Sequence, residues 1–182
     1  MKGVLFTELL NMVEQRHGYE LVDRILTTTN LTSGGIYTAV GTYPAAEMEA
    51  LLQTLAAETG TSLPIWLNVF GHHLFGVFTR YYAHFLTGVS GTFDLLQQIE
   101  GYIHVEVRKL YPDAELPQFV TSRPEADTLE MLYRSERRLS DLACGLMEAA
   151  FAHYGEQASI TRTPLNADES EVRFIIRQHR GV

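Results

Sequence analysis

The chain has 182 residues, enough for one domain or for two subdomains that share a core. Its net charge of -8 argues against nucleic acid as a partner, because neutralising phosphates requires a basic surface. Hydrophobic residues make up 46% of the chain, enough for a sizeable core, but no apolar run approaches the roughly 20 residues that span a bilayer.

Targeting and redox features of the sequence indicate the cytoplasm. Met1-Lys2-Gly3 leads directly into an amphipathic pattern, without the apolar stretch and cleavage site of a signal peptide. Cys144 is the single cysteine, so an internal disulfide is excluded, as is usual in a reducing cytosol. No cationic neighbour in sequence would activate its thiolate, and we therefore interpret this cysteine as structural.

Helical periodicity dominates the first part of the chain. Five helical segments are predicted, and glycines, prolines and capping residues mark their ends. They are Val4 to before Gly18, Tyr19 to Thr27, Pro44 to Gly60, Ser62 through the aromatic run to Phe85, and Thr92 to Pro112. Residues 28–43 are rich in Thr, Gly and Ser, which predicts a loop.

After Pro112 the pattern becomes extended. Four strands are predicted, at residues 116–122, 127–133, 157–164 and 171–178, with one helix inserted from Glu136 to about Tyr154. Helices followed by strands indicate an α+β fold with a roughly four-stranded antiparallel sheet.

A group of hydrogen-bond donors follows the second predicted strand, in the sequence Tyr133-Arg134-Ser135-Glu136-Arg137. If this segment continues the strand, residues 133, 135 and 137 point to one face. Two hydroxyls and a guanidinium suit a carboxylate or phosphate, because the planar fork of Arg donates to two oxygens at once. The simpler interpretation is a polar strand end with Arg137 in a surface ion pair.

A lone histidine, His104, lies within the last predicted helix of the first part. Gly101 lies one turn before it, where the missing side chain would leave room for a flat macrocycle, although Gly within a helix costs about 1 kcal/mol relative to Ala. The simpler interpretation is a hydrogen-bonded core histidine. Zinc is not expected, since the sequence has no CxxC, HExxH or i,i+4 histidine pair.

Tyr-x-Ser-x-Arg downstream of a helix histidine, in a chain that opens Met-Lys-Gly, resembles the bacterial H-NOX (haem-nitric oxide/oxygen-binding) family, which is related to the haem domain of soluble guanylate cyclase. The resemblance covers essentially the whole chain. It implies one haem b-binding domain over residues 1–182, with a helical distal subdomain at about 1–62 and a proximal subdomain with the sheet at about 63–182. It also implies His104 as the proximal iron ligand and Tyr133, Ser135 and Arg137 as the residues that bind the haem propionates.

The same resemblance implies which residues surround the ring and the gas. Six apolar residues would form the distal wall: Leu5, Leu9, Leu74, Phe78, Leu142 and Leu146. Pro117, thirteen residues after the iron ligand, would hold the porphyrin out of plane. Family members that bind dioxygen have a distal tyrosine at the position of Leu142 and a polar residue at that of Leu74. Bound dioxygen needs such a donor, so the apolar wall favours nitric oxide, and carbon monoxide should also bind.

The resemblance therefore implies a nitric oxide sensor rather than an enzyme. Nitric oxide weakens the bond opposite to it, so release of His104 would let the ring relax and the subdomains shift. No kinase or cyclase segment follows Val182 in the sequence, so we expect output through a separate protein, which for stand-alone relatives is usually a histidine kinase or a cyclic-di-GMP enzyme. Two alternatives remain open: a haem enzyme that consumes nitric oxide or peroxide, and a haem-free module that binds an anion or another small ligand.

Overall fold

A computed structural model of the chain describes residues 1–179 and has the predicted α+β order. Seven α-helices and four strands occur within this range: α1 Gly3–His17, α2 Tyr19–Thr28, α3 Ala45–Thr59, α4 Leu63–Tyr81, α5 Thr92–Gln98, α6 His104–Leu110, β1 Gln118–Glu125, β2 Thr128–Arg134, α7 Ser140–His153, β3 Ala158–Pro164 and β4 Glu171–Gln178. None of these helices has the length and apolarity needed to cross a membrane. The domain expected at residues 1–182 extends three residues beyond the described range.

The N-terminal helices share one hydrophobic core. Phe6, Leu9, Leu51 and Leu55 are fully buried in it, together with the first half of α4. The predicted loop between α2 and α3 has no regular structure apart from an isolated bridge between Lys2 and Thr42.

Glu47, at the start of α3, fastens this loop to the helical core. Its carboxylate accepts hydrogen bonds from the hydroxyls of Thr32 (2.5 Å), Ser33 (2.6 Å) and Tyr37 (2.7 Å) and from the Ser33 backbone N–H (2.9 Å). Burial opposes ionisation of Glu47, but these donors lower its pKa to about 2. A buried charge is thus stabilised by several short hydrogen bonds.

The four strands form the antiparallel sheet that the sequence predicts, and their order in it is β1-β2-β4-β3. Alternate residues of the two central strands face a second core, in which Met131 lies opposite Phe174 and Tyr133 opposite Val172. One face of α7 packs on this core through Ala143, Met147 and Phe151, and its other face contacts the N-terminal core. Helix α7 therefore connects the two cores.

Helices α4 and α7 cross at two glycines. A Cβ on Gly71 would lie 2.3 Å from the carbonyl oxygen of Leu142, and one on Gly145 would lie 2.1 Å from that of Asn68. Both distances are too short for any side chain, so glycine is what permits this close contact.

Several boundaries differ from the sequence predictions. The first strand runs from Gln118 to Glu125, so of the loop expected at residues 123–126 only Ala126 lies in the turn. Helix α7 begins at Ser140 instead of Glu136. Cross-strand pairing with β2 decides the first difference, since it extends the strand up to a tight turn. Thr92 does not cap α5: its hydroxyl is buried without a hydrogen-bond partner among the described residues.

Candidate cofactor-binding site

A cavity of about 330 Å³ lies between the two cores. The start of α1, the second half of α4, helices α5 to α7 and the segment from Tyr111 to Phe119 surround it. Its walls are largely apolar, with a histidine and a few polar groups among them, which is the usual composition of a cofactor pocket.

His104 lines this cavity at a distortion of its helix. Helices α5 and α6 are continuous through a π-helical turn at Ile99–Ile103, and His104 follows directly. Its Nδ1 donates a hydrogen bond of 2.8 Å to Oε1 of Glu100, and no described residue hydrogen-bonds Nε2. Burial lowers the pKa of His104, and Glu100 partly offsets that effect. Burial thus favours the neutral imidazole, and Nε2 is the ring nitrogen available to a metal.

The polar end of the cavity contains Tyr133, Ser135 and Arg137. Tyr133 is almost fully buried, and burial raises the pKa of its hydroxyl, which keeps its proton. The Tyr133 hydroxyl accepts a hydrogen bond of 2.9 Å from the Leu139 backbone N–H. The Ser135 hydroxyl accepts one of 3.2 Å from the Arg137 backbone N–H. The guanidinium of Arg137 donates to the Glu115 carbonyl at 2.8 Å and pairs with the Glu115 carboxylate.

The sequence predicts that these three residues lie on one face of a strand, and this prediction is wrong. Strand β2 ends at Arg134, and a turn follows in which Arg138 has a φ of 55°. The turn, rather than the period of a strand, brings the three side chains to one cavity. The Glu115 side chain that pairs with Arg137 is 83% exposed, so an anionic group in the cavity can replace it as the partner of the guanidinium.

The structure places most of the predicted apolar residues in the cavity wall. The lining includes Leu5, Leu74, Phe78, Pro117, Leu142 and Leu146. Leu9 lies instead in the N-terminal core, one turn further along α1 than Leu5. Gly101 is exposed and does not line the cavity, since the π turn changes the angular spacing of residues before His104.

Three polar side chains on or near α4 could place a donor in the cavity. Tyr81 is 66% exposed, and His73 is hydrogen-bonded to Glu8 at 2.9 Å on the α1 side of the helix. Tyr82 does line the cavity, but its hydroxyl is 3.2 Å from that of Tyr111 and pairs with it. Sequence analysis alone did not reveal this tyrosine pair, which depends on a loop 29 residues downstream.

Glu100 is a further site residue that sequence analysis missed. An acidic residue four positions before a histidine in a helix is a signal that could have identified it. For Cys144 the sequence interpretation agrees with the structure. Burial raises the pKa of its thiol to about 12, which supports a structural role.

The donor set matches a haem better than a free metal ion. Among residues 1–179 there is no cluster of three His, Cys, Asp or Glu side chains that could hold a metal. One imidazole with a free Nε2, apolar walls for a flat ring, and hydroxyl and guanidinium donors for anionic substituents are the groups that an iron porphyrin requires.

Comparisons with known proteins agree with this geometry. A family model described as Haem-NO-binding matches residues 2–162. The unliganded Fe(II) H-NOX protein from K. algicida is 42% identical and superposes with a TM-score of 0.96, covering 100% of this chain and 98% of that one. The H-NOX from Shewanella woodyi, solved with IWP-051 in its Fe(II)CO state, is 35% identical with a TM-score of 0.85, covering 100% and 97%.

A longer relative is also similar. Soluble guanylate cyclase 89Db of Drosophila melanogaster is 28% identical over 163 residues, which is 85% of this chain. The chain spans only 24% of that protein's length, so the similarity concerns one part of the cyclase.

Proposed function

The chain belongs to the Haem-NO-binding (H-NOX) family of haem-containing gas sensors, and from that membership we propose that it is a cytoplasmic nitric oxide sensor that acts on a separate partner protein. The observation that carries the proposal is a single cavity that unites His104, an apolar wall and the Tyr133-Ser135-Arg137 end. Different residues of the chain hold the cofactor, select the gas and transmit the conformational change.

The cofactor is haem b. When bound, it supplies a ferrous iron with one position open to a diatomic gas. His104 would hold the iron through Nε2, while Glu100 fixes the imidazole ring by accepting a hydrogen bond from Nδ1. Tyr133, Ser135 and Arg137 bind the propionates, for which Arg137 exchanges its exposed Glu115 partner for a ligand carboxylate. Each charge-assisted bond of this kind contributes roughly 1.5–3 kcal/mol.

Gas selection follows from the wall around the open position. The side chains of Leu74, Phe78, Leu142 and Leu146 contain no hydrogen-bond donor. Tyr82 also lines the cavity, and we propose that its hydroxyl donates to that of Tyr111, 3.2 Å away, rather than to the gas. A donor to a charged acceptor is worth roughly 1.5–3 kcal/mol, or about 10 to 150-fold in affinity. Dioxygen depends on that contribution, whereas nitric oxide and carbon monoxide do not.

Signal transmission starts at His104. If nitric oxide binding released His104, the helix from α5 to α6 would be free to move, and Pro117, which also lines the cavity, would be the residue whose contact with the haem changes. The helical subdomain of about residues 1–62 then shifts relative to the remainder. We propose that a histidine kinase or a cyclic-di-GMP enzyme recognises this change.

A spectroscopic experiment tests the proposal. Purified ferrous protein should bind nitric oxide and carbon monoxide, and it should form no lasting dioxygen complex in air. A stable oxy spectrum would mean that Tyr82 or another donor reaches the ligand, and the nitric oxide assignment would be wrong. His104→Gly should lose the haem spectrum and regain it with added imidazole; a colourless parent protein would instead favour a haem-free anion-binding module.

The enzyme alternative has a separate test. Peroxide- or nitric oxide-consuming catalysis requires acid–base groups near the iron. The residues that we propose for the distal wall, Leu74, Phe78, Leu142 and Leu146, all have apolar side chains. Multiple turnover of either substrate by the purified protein would contradict the sensor assignment.

A separate experiment identifies the partner. Capture of a host kinase or cyclic-di-GMP enzyme that differs with and without nitric oxide would identify it.

A further inference from the structure

One carboxylate oxygen of Glu100 joins two elements of the cavity wall. Its Oε1 accepts a hydrogen bond from Nδ1 of His104 at 2.8 Å and another from the backbone N–H of Phe119 at 3.0 Å. Phe119 belongs to β1, and its ring lies 5.9 Å from the His104 ring. The carboxylate is therefore held from two sides, at a fixed position behind the imidazole.

The local backbone builds this arrangement. The π turn at Ile99–Ile103 widens the helix immediately before His104, and Glu100 lies within it. The His104 side chain is only 10% exposed and that of Glu100 is 34% exposed, so water competes weakly for the Nδ1 proton. A π turn placed at one functional side chain is a feature commonly associated with a site rather than with stability alone.

The charge of the acceptor determines what the hydrogen bond does to the imidazole. A carboxylate accepts a shorter and roughly twofold stronger hydrogen bond than a neutral carbonyl does. By attracting the Nδ1 proton, it makes the opposite nitrogen a better electron donor. The bond from Nε2 to an iron is then stronger than with a neutral acceptor.

We propose that Glu100 sets the strength of the bond between His104 and iron, and so controls how readily His104 is released when nitric oxide binds on the opposite side. Glu100 is a positioning residue that acts through His104. The proposal rests on the proposed function only in requiring that His104 be the iron ligand; it does not require that nitric oxide be the physiological signal.

Two consequences follow for the haem-loaded protein. A strengthened His104 bond favours the six-coordinate nitric oxide complex over the five-coordinate one, and it stabilises the ferric state relative to the ferrous state. Replacing the carboxylate with a neutral acceptor should shift both in the opposite direction. Because a charge-assisted bond exceeds a neutral one by roughly 1 kcal/mol, the five- to six-coordinate ratio should rise about fivefold.

The test compares Glu100→Gln with the parent protein. Glutamine keeps an oxygen that can accept from both His104 and Phe119, so the fold and the ring position are retained while the charge is removed. We expect a lower iron–histidine stretching frequency in the resonance Raman spectrum of the ferrous protein, a higher reduction potential and more five-coordinate nitric oxide complex. Glu106→Gln is the matched control, because Glu106 lies on α6 two residues from His104 but pairs with Lys109.

A second background isolates the hydrogen bond itself. In His104→Gly protein, added imidazole retains an N–H for Glu100, whereas 1-methylimidazole does not. Glu100→Gln should therefore change the iron–ligand frequency with imidazole and leave it unchanged with 1-methylimidazole. Equal effects with both ligands, or an iron–histidine frequency equal in Glu100→Gln and parent, would overturn the proposal.

These results separate the two proposals. If His104→Gly leaves the haem spectrum of the protein intact, His104 is not the iron ligand. Both the proposed function and the proposed role of Glu100 are then wrong. If the parent binds haem through His104 but Glu100→Gln behaves like Glu106→Gln, the role of Glu100 alone is refuted and the sensor assignment stands.

Discussion

Replacing Gly145 with alanine should destabilise the protein, although alanine is the better helix former. A Cβ at this position in α7 would lie 2.1 Å from the carbonyl oxygen of Asn68 and 2.8 Å from its carbonyl carbon. Both atoms belong to the backbone of α4, which cannot move away as a flexible side chain can. The two helices would have to separate by roughly 1 Å, or α7 would have to rotate.

The magnitude combines two opposing effects. Overpacking at a close contact typically costs 1–3 kcal/mol, and a clash with backbone belongs near the upper end of that range. Alanine recovers up to about 1 kcal/mol through its helix propensity. We therefore expect a net loss of about 2 kcal/mol in the free energy of unfolding, which for a chain of this size lowers the melting temperature by roughly 4–8 °C.

The assay is urea unfolding of parent and variant in the same haem and ligand state, because bound cofactor itself stabilises the folded protein. Gly76→Ala is the control: Gly76 lies on α4, the helix that Gly145 contacts, and a Cβ there would meet no atom within 4 Å. That variant should gain up to about 1 kcal/mol. If Gly145→Ala is as stable as Gly76→Ala, the close contact of the helices is not needed and the reasoning fails.

Three further predictions concern the cofactor and the loop. Arg137→Ala should lose haem while keeping its fold, since the propionates lose a charged donor worth roughly 1.5–3 kcal/mol per bond; equal haem occupancy would contradict the propionate assignment. Pro117→Ala should flatten the porphyrin and move the protein toward its ligand-bound conformation, to be checked in a crystal structure of the variant. Glu47→Gln should lower the free energy of unfolding by about 2 kcal/mol at pH 7. Because the folded-state pKa of Glu47 is depressed to about 2, its stabilisation is present above pH 4.5, and the difference from Glu47→Gln should shrink as the pH falls toward 2.

Local sequence patterns were enough to predict the fold class. Periodicity in α1 and α3, alternation in β2 and β4, and boundaries such as Gly18 and Pro112 depend on nearest neighbours along the chain, and the structure confirms the order of elements. The family was recognisable because a few chemically demanding residues, His104 and the Tyr133-Ser135-Arg137 group, have a characteristic order and spacing. The assignment of those residues to a haem remains a prediction.

Long-range contacts decided the rest. Leu5 and Leu9 are one turn apart on the same face of α1, so helical spacing alone cannot tell which of them reaches the cavity. Leu5 lines the cavity and Leu9 lies in the N-terminal core because of where each turn of α1 lies relative to the cavity.

The surroundings of His104 are a second example. The π turn removed Gly101 from the cavity wall and placed Glu100 behind the imidazole, an arrangement completed by the backbone N–H of Phe119, nineteen residues away. The pairing of Tyr82 with Tyr111 likewise joins residues that are distant in sequence. So does the close contact of Gly145 with Asn68, whose carbonyl oxygen would lie 2.1 Å from a Cβ on Gly145. Sequence determined which elements and which reactive groups exist, because those follow from residue type and local period; only the tertiary structure determined which groups face one another, because that depends on packing between distant segments.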